Sequence, residues 1–397
     1  MRPSVLMVTG AYYPELSGGG LQARLVVRAL QQAARFTVLT TSIDPSLPAR
    51  SNEDGVPVRR VFVNMRSRGS RLAAPFRIIV AFLEVARRID VVNLHGFSRK
   101  AILLVALSRL FGKSFVLTLQ TGVHDEPKSA RAMGPLAYWA YVNADLYLSV
   151  SPALSRAYLD AGLPASRLRQ VANAVDVERF KPAAVAERVA LRAELGLPPA
   201  IPLVLFVGFF SRDKRPDVLY GAWSRVAARV PSALVFLGAT RGRYQEIEAD
   251  LADTIRARAG VDRLGDRTFF VETTRTIEKY YRAVDMYVLP SIREGLPIAL
   301  LEAMSSALPC VASRLPGSTD TLIEHDVSGL LVAPDDVEGL AEAIRSILTD
   351  GARAARLGAA ARETVVARYA VQRTAPAWLS AYQSLANRCD RPDATGG

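Results

Sequence analysis

Short apolar runs alternate along this chain with longer segments whose apolar positions recur every three to four residues. In the first half the runs are Val5–Val8, Phe36–Leu39, Val91–Leu94, Phe115–Leu119 and Leu146–Val150. Between them lie Leu21–Ala34, Ala74–Arg88, Lys100–Leu110 and Met133–Asn143, which carry helical spacing. Buried strands punctuated by helices predict a parallel sheet covered on both faces. The pattern breaks at Phe180–Pro202, where Lys181-Pro182, Pro198-Pro199 and Pro202 cluster, and this stretch reads as a linker carrying one short helix. A second series follows at Leu203–Val207, Ala233–Leu237, Phe269–Val271, Met286–Leu289, Val311–Ser313 and Leu330–Val332. Helices Val337–Leu348, Ala352–Ala367 and Ala375–Asn387 close it, before a polar, frayed tail at Arg391–Gly397.

The expected organisation is therefore α/β, with two Rossmann-like, doubly wound domains. An N-terminal domain spans 1–180, a linker 181–200 and a C-terminal domain 201–374, with helix 375–390 packing back on the first domain. Two such domains facing each other would place the carboxyl ends of both sheets on one interdomain cleft, where ligands of open α/β sheets bind. At 397 residues and 50% hydrophobic content the chain can fill two cores without disulfide or metal staples. Runs such as Ala101–Leu107 and Ile201–Phe210 fall short of the roughly 20 apolar residues a membrane helix needs. Met1–Val8 is too short for a signal peptide, and the two cysteines, Cys310 and Cys389, have no metal-ligand spacing. These features predict a reduced, cytoplasmic protein.

Charge changes the picture in one half only. Residues 1–181 hold 24 Lys/Arg against 12 Asp/Glu, while residues 182–397 hold 26 of each, so the whole net charge of +12 lies in the first half. Such an excess suits an anionic partner. The densest stretch is Arg66, Arg68, Arg71, Arg77, Arg87 and Arg88, flanking apolar Ile78–Val85. Read as a helix, it is either an amphipathic basic segment for anionic lipid or a solvated arginine face over a core helix. No nucleic-acid motif occurs, so nucleic acid is not an expected partner.

Three segments carry candidate chemistry. Pro290-Ser291-Ile292-Arg293-Glu294-Gly295-Leu296-Pro297 follows a strand, with Pro297 placed as the first residue of a helix. Backbone N–H groups around Gly295, Leu296 and Ile298 would then form an anion site. Glu302, eight residues after Glu294, falls at a buried helical position and needs a hydrogen-bond partner, which a diol such as ribose would supply. A helix-capping acid and a second acid bonded to backbone is the structural alternative. Val207-Gly208-Phe209-Phe210-Ser211-Arg212-Asp213-Lys214-Arg215 also follows a strand, and its three cations suit a diphosphate or merely a solvated loop. Tyr13-Pro14-Glu15-Leu16-Ser17-Gly18-Gly19-Gly20 precedes a helix, where Gly19 and Gly20 permit close backbone approach. Gly18-x-Gly20-x-x-Ala23, with Asp44 further on, loosely fits a dinucleotide fingerprint, so a nicotinamide enzyme stands as a minor alternative. His95 and His124 follow strands, at ends suited either to catalysis or to a structural histidine. No Asp-x-Asp sequence and no metal-spaced cluster occurs.

Taken in order along nearly the whole chain, these segments resemble the retaining glycosyltransferases of family 4, which have the GT-B fold. Glu294 and Glu302 reproduce the family's E-x7-E. Asn173-Ala174-Val175-Asp176, with Phe180 and Pro182, looks like its N-G-V-D…F-x-P, and Ser328-Gly329-Leu330-Leu331-Val332 like its N-G-L-L-V. The resemblance implies a nucleotide-diphosphate sugar as co-substrate, UDP-sugar favoured and GDP-sugar next, with no cofactor and no metal. It implies that Glu294 contacts the donor sugar, that Glu302 holds the ribose, and that Gly295, Leu296, Pro297 and Lys214 bind the diphosphate. Gly208, the glycine after the strand, belongs with Arg212 to the donor-binding set, the nucleobase meets backbone near Phe269–Glu272, and Gly19 and Gly20 close onto the donor phosphate. Where the family often has Arg, this chain has Phe209, and Arg212 is expected to supply the guanidinium. Where it often has His, this chain has Gln120, so Gln120, His124 or His95 serves the acceptor side, with Tyr13. Ala174 and Ala307 stand where glycines are common.

The catalytic set expected is thus Glu294, Lys214, Arg212 and His124. The expected function is hexosyl transfer to a hydroxyl acceptor, with a lipid-linked or membrane-proximal acceptor in cell-surface polysaccharide assembly the leading expectation. That would place the protein at the inner face of the cytoplasmic membrane. The rivals are a nucleotide-sugar epimerase or phosphorylase of the same fold and an inactive nucleotide-sugar-binding subunit.

Overall fold

A computed structural model describes residues 2–15, 17–240 and 247–389, so Leu16 and the expected tail at 391–397 lie outside the described residues. The chain divides into two compact units: residues 1–174 with 371–397, and residues 175–370.

The first unit holds strands β1 (Ser4–Thr9), β2 (Arg35–Ser42), β3 (Arg50–Glu53), β4 (Val56–Phe62), β5 (Val91–His95), β6 (Ser114–Leu119), β7 (Leu146–Ser149) and β8 (Leu168–Gln170). Their order in the sheet is β3-β4-β2-β1-β5-β6-β7-β8. Every pairing is parallel except β3 with β4. Helices α1 (Gly18–Leu30), α2 (Arg68–Leu83), α3 (Lys100–Leu110), α4 (Pro127–Ala132), α5 (Pro135–Val142) and α6 (Pro152–Asp160) connect them. The β1, β5, β6 and β7 runs are buried along their whole lengths, as strands covered on both faces must be.

Two differences from the sequence reading have local causes. The β3–β4 hairpin went unforeseen because its strands are rich in polar and basic residues. Its turn is nonetheless written in Asp54-Gly55, whose φ values of 54° and 82° suit the primed turn that closes such a ribbon. Helix α2 begins six residues before Ala74, because Ser67 caps it by accepting the Ser70 N–H at 3.3 Å. It ends at Leu83, and Ala86–Arg88 forms a separate short 3-10 turn.

The second unit contains α7 (Val185–Glu194), β9 (Leu203–Val207), α8 (Pro216–Ala227), β10 (Ala233–Leu237), α9 (Ala249–Val261), β11 (Thr268–Val271), α10 (Ile277–Ala283), β12 (Met286–Leu289), α11 (Ile298–Ser305), β13 (Cys310–Ser313), β14 (Leu330–Val332), α12 (Val337–Thr349) and α13 (Gly351–Arg368). Its all-parallel sheet runs β11-β10-β9-β12-β13-β14. Aromatic rings Phe206, Phe210, Phe236 and Trp223 fill one side of its core.

The stretch expected as a linker at 181–200 belongs to this second unit. Arg192, buried on α7, donates to the Ala283 carbonyl at 2.8 Å and pairs with Asp285 at 2.6 Å. Asp285 also accepts the Leu203 N–H and pairs with Arg188, so α7 is tied to the start of β9 rather than left as a tether. The division accordingly falls at 174/175 and 370/371, not at 180 and 374. The last helix, α14 (Val371–Cys389), is part of the first unit, where Trp378 and Tyr382 are fully buried among β1, α1 and β5 residues. The Tyr382 hydroxyl accepts from Asn93 Nδ2 at 2.8 Å.

Candidate functional site

Strand order places the chemistry. In the second sheet the chain winds one way from β9 through β10 to β11, then returns to β12 beside β9 and winds the other way. Loops leaving the carboxyl ends of two adjacent strands on opposite sides of such a reversal diverge and leave a crevice. The β9 loop carries Gly208, Arg212 and Lys214, and the β12 loop carries Glu294, Gly295, Leu296 and Pro297. They meet here: Lys214 Nζ lies 2.6 Å from Glu294 Oε1. The Glu294 side chain is 8% exposed and that of Lys214 30%, so a nearly buried carboxylate holds a partly accessible ammonium. The loops are further joined where the Ile292 N–H donates to the Asp213 carbonyl at 2.9 Å.

Gly295, Leu296 and Pro297 are buried and lead directly into α11. Pro297 is the N-cap, with extended backbone, rather than the first helical residue. No side chain caps the helix there, and the first turn of a helix presents N–H groups that have no intrahelical acceptor. The positive helix end thus follows directly on the loop whose Glu294 holds the Lys214 ammonium, which is carried in from the β9 loop.

Glu302 is buried on α11 and receives a hydrogen bond from the Tyr281 hydroxyl at 3.0 Å. Burial pushes its carboxyl up to about 7, against the pull of that hydrogen bond. Both carboxylates act on one buried phenol: desolvation, then Glu294 and, more weakly, Glu302 raise the Tyr287 hydroxyl well above its ordinary value. The Tyr287 hydroxyl and the Ser291 hydroxyl are buried without a hydrogen-bond partner. Unsatisfied buried polar atoms are costly, and these two stand on β12 and on the loop after it that carries Glu294. Tyr287 and Ser291 escaped the sequence reading because one lies inside an apolar strand run and the other is a lone serine.

Arg212 does not join this group. Its side chain is 75% exposed and pairs with Glu248 at 2.7 Å. Arg215, the third cation of the loop, adopts a left-handed backbone (φ 53°) and pairs with Asp335 at 2.7 Å. Gly208 lies against the Phe206 ring, which a Cβ there would approach to 3.3 Å. Ala307 takes φ 58°, the left-handed region where the family's glycine would be relaxed.

The first sheet has its own reversal, between β1 and β5. Lys100 Nζ bridges it, donating to the Thr9 carbonyl at 3.0 Å and to Thr41 Oγ1 at 3.3 Å, and burial lowers its ammonium to about 8. No sequence signal singled out this lysine, since a lone Lys at a helix start reads as surface. Eight residues separate β1 from α1, which is not the tight strand-to-helix turn of a dinucleotide fingerprint. The two glycines differ: a Cβ on Gly20 would fall 2.3 Å from the Ala11 carbonyl oxygen, whereas one on Gly19 meets nothing within 4 Å. The Gly20 N–H is also taken by the Ser17 cap at 3.1 Å. Gly20→Ala is therefore expected to lose about 1–3 kcal/mol in a denaturant titration, with Gly19→Ala neutral or slightly stabilising. Tyr13 lies beneath the Arg24 guanidinium, 3.7 Å from its ring centre.

His95 and Gln120 come together in the structure, and His124 stands apart from both. His95 is 5% exposed and stacks on Trp378 with ring centres 5.5 Å apart. Its ring nitrogens lie 3.3 Å from Gln120 Nε2 and 3.4 Å from Asn93 Nδ2. Desolvation pushes its imidazole down to about 3, so it is neutral and packs as a core histidine. Gln120 is half-buried beside it, whereas His124 is exposed on the following loop and joins neither. Asp125 organises that loop by accepting the N–H groups of Phe97, Gln120 and Thr121.

Comparison with known proteins bears on the fold and the family. The family described as glycosyl transferases group 1 matches residues 187–364, and the glycosyl transferase 4-like domain matches residues 17–174. The D-inositol 3-phosphate glycosyltransferase of Xylanimonas cellulosilytica is 32% identical over 238 residues, covering 57% of this chain and 54% of that protein. The lipopolysaccharide core biosynthesis mannosyltransferase LpsB of Rhizobium meliloti is 28% identical over 218 residues, covering 54% and 60%. The chain thus spans about half the length of the curated relatives it matches. Among solved structures, Anabaena Alr3699/HepE in complex with UDP-glucose superposes with a TM-score of 0.77 at 18% identity, over 96% of this chain and 99% of that one. With two doubly wound parallel domains of the GT-B class and both family matches falling in order along it, the chain belongs to the group 1, family 4-like glycosyltransferases.

Proposed function

We propose that this protein transfers a hexosyl unit from a nucleotide-diphosphate sugar, most readily a UDP-sugar and next a GDP-sugar, to a hydroxyl acceptor. The observation that carries the reading is the Lys214–Glu294 pair beside the uncapped start of α11, at the strand reversal of the second sheet. The UDP and UDP-glucose complexes of the structural neighbour support the choice of donor. In this scheme the diphosphate takes the place Glu294 leaves beside the Lys214 ammonium, Glu302 accepts the ribose hydroxyls, and Glu294 turns to the sugar. The bond between the anomeric carbon and the diphosphate oxygen breaks, and the acceptor oxygen bonds to that carbon on the same face. The acceptor proton passes to the departing phosphate, so configuration is retained. Negative charge grows on the diphosphate as the bond breaks, which is where the ammonium and the helix N–H groups act. These cationic groups supply the stabilisation in this scheme, without a metal. The relatives' names support a role in glycan assembly, and a lipid-linked acceptor fits the charge of the first unit.

A thermal-shift titration in EDTA tests this reading. Saturation at 100 times Kd by one nucleotide diphosphate should add about 2.7 kcal/mol, a rise of several degrees. Stabilisation appearing only with added divalent metal would refute the metal-free scheme. No stabilisation by any nucleotide diphosphate or its sugar conjugate would refute the donor site.

A further inference from the structure

The outer face of α2 is apolar where solvent should make it polar. Leu72, Phe76, Val80 and Leu83 are 73%, 72%, 57% and 47% exposed. At 100° per residue they fall within one stripe about 80° wide. Ala74, Ile78 and Phe82 on the opposite face are buried, with Phe82 packed on Phe111 at 6.0 Å between ring centres. The stripe is therefore left over after the helix has satisfied its own fold. Met65, just ahead of the helix, is also 43% exposed. A contiguous exposed apolar stripe of this kind marks a contact surface.

Its charge frame identifies the occupant. From Asn64 to Leu83 there are four arginines and no acid. Arg68 lies on one flank of the stripe and Arg77 on the other, both exposed, and Arg71 is exposed in the first turn of the helix. Glu84, the first acid after them, is already neutralised by Arg50 and Arg59. Directly after the helix, Arg87 and Arg88 join Arg2 and Arg35 around an open recess of about 680 Å³, whose acid, Asp90, accepts the Ser4 N–H. A second copy of this chain would bring arginine against arginine. An anionic bilayer matches both features: its acyl boundary takes the apolar stripe and its headgroups take the guanidinium groups. Among the described residues no helix is long and apolar enough to cross a membrane, so such a contact would be peripheral.

We propose that α2 is a membrane-docking helix, inserting Leu72, Phe76, Val80 and Leu83 at the surface of an anionic bilayer with Arg68, Arg71, Arg77, Arg87 and Arg88 on the lipid phosphates. The proposal rests on the α2 surface itself and deepens the transferase reading by placing its acceptor at a lipid surface. The test is sedimentation of the whole protein with vesicles of phosphatidylcholine alone or mixed with phosphatidylglycerol. Binding should need the anionic lipid, weaken in high salt, and fall about tenfold or more in Phe76→Asp/Val80→Asp and in Arg87→Glu/Arg88→Glu. Tryptophan emission of Phe76→Trp should shift to the blue on anionic vesicles. The substituted positions are exposed, and unchanged stabilisation by nucleotide without lipid would show that the variants are folded and the donor site is intact. Equal binding by the Phe76→Asp/Val80→Asp variant would overturn the proposal. So would no binding to anionic vesicles, or self-association that the same variant abolishes in place of vesicle binding. Loss of nucleotide stabilisation with vesicle binding retained would instead refute the transferase reading alone.

Discussion

Replacing Lys214 by methionine should lower kcat/KM for sugar transfer by about 100- to 1,000-fold, the size of effect seen when one preorganised donor to a developing oxyanion is removed. Methionine keeps most of the stem and removes only the charge. The ammonium sits 2.6 Å from Glu294, in a loop fixed by the Ile292 to Asp213 backbone bond, so its position is set before any donor arrives. The substitution also strands Glu294, whose side chain is 8% exposed, without its partner. Breaking a buried pair costs stability as well as activity. The double variant Lys214→Met/Glu294→Gln separates the two effects: it should recover most of the lost stability in a denaturant titration while activity stays low. Activity of Lys214→Met within threefold of the parent would remove Lys214 from the mechanism.

Glu302→Gln should weaken nucleotide binding by about 10- to 100-fold, the loss of hydrogen bonds to a charged group, and change kcat at saturating donor only a few-fold. The pH dependence is more specific. The free protein holds the Glu302 carboxyl at about 7, above its ordinary 4.5, because it is buried. Ribose hydroxyls donate, so they favour the ionised form, and binding must expel the proton below pH 7. Affinity should therefore rise about tenfold per pH unit approaching 7 and level off above it. Stability runs the other way. The folded, unliganded protein holds a proton that the unfolded chain has released, so this group's contribution is full below about 4.5 and is lost as pH rises through about 7. In Glu302→Gln both slopes should flatten when calorimetry and thermal melts are run from pH 5 to 8. A parent affinity independent of pH across that range would show that Glu302 does not hold the ribose.

How much of this was legible depends on what kind of interaction places each residue. Lys214, Glu294 and Glu302 were legible because each follows a buried strand or sits on the helix after one, and apolar runs mark strands whatever they pack against. Arg212 read the same way, yet its long side chain reached Glu248, 36 residues later, instead of the crevice. His95 and His124 were equal candidates by position. Trp378, 283 residues after His95, removed His95 from solvent by stacking on it, and nothing local to either residue encodes that contact. Lys100, Tyr287 and Ser291 matter through what surrounds them, so their types alone carried no signal.

The periodicity of apolar positions determined, without any structure, that two mainly parallel sheets would form, with charged, chemistry-bearing loops at the ends of β9 and β12. Those features follow from solvent exclusion acting on neighbouring residues. Tertiary structure decided which partners meet across long sequence separations. It set the Lys214–Glu294 pair 80 residues apart, drew α7 into the second unit through Asp285, and left Gly20 no room for a Cβ against Ala11. It also decided that the apolar side of α2 would use only one stripe for its own core. The same composition could have buried Phe76 and Val80 in place of Ile78 and Phe82, and only the register of α2 against its unit turned that second stripe toward solvent.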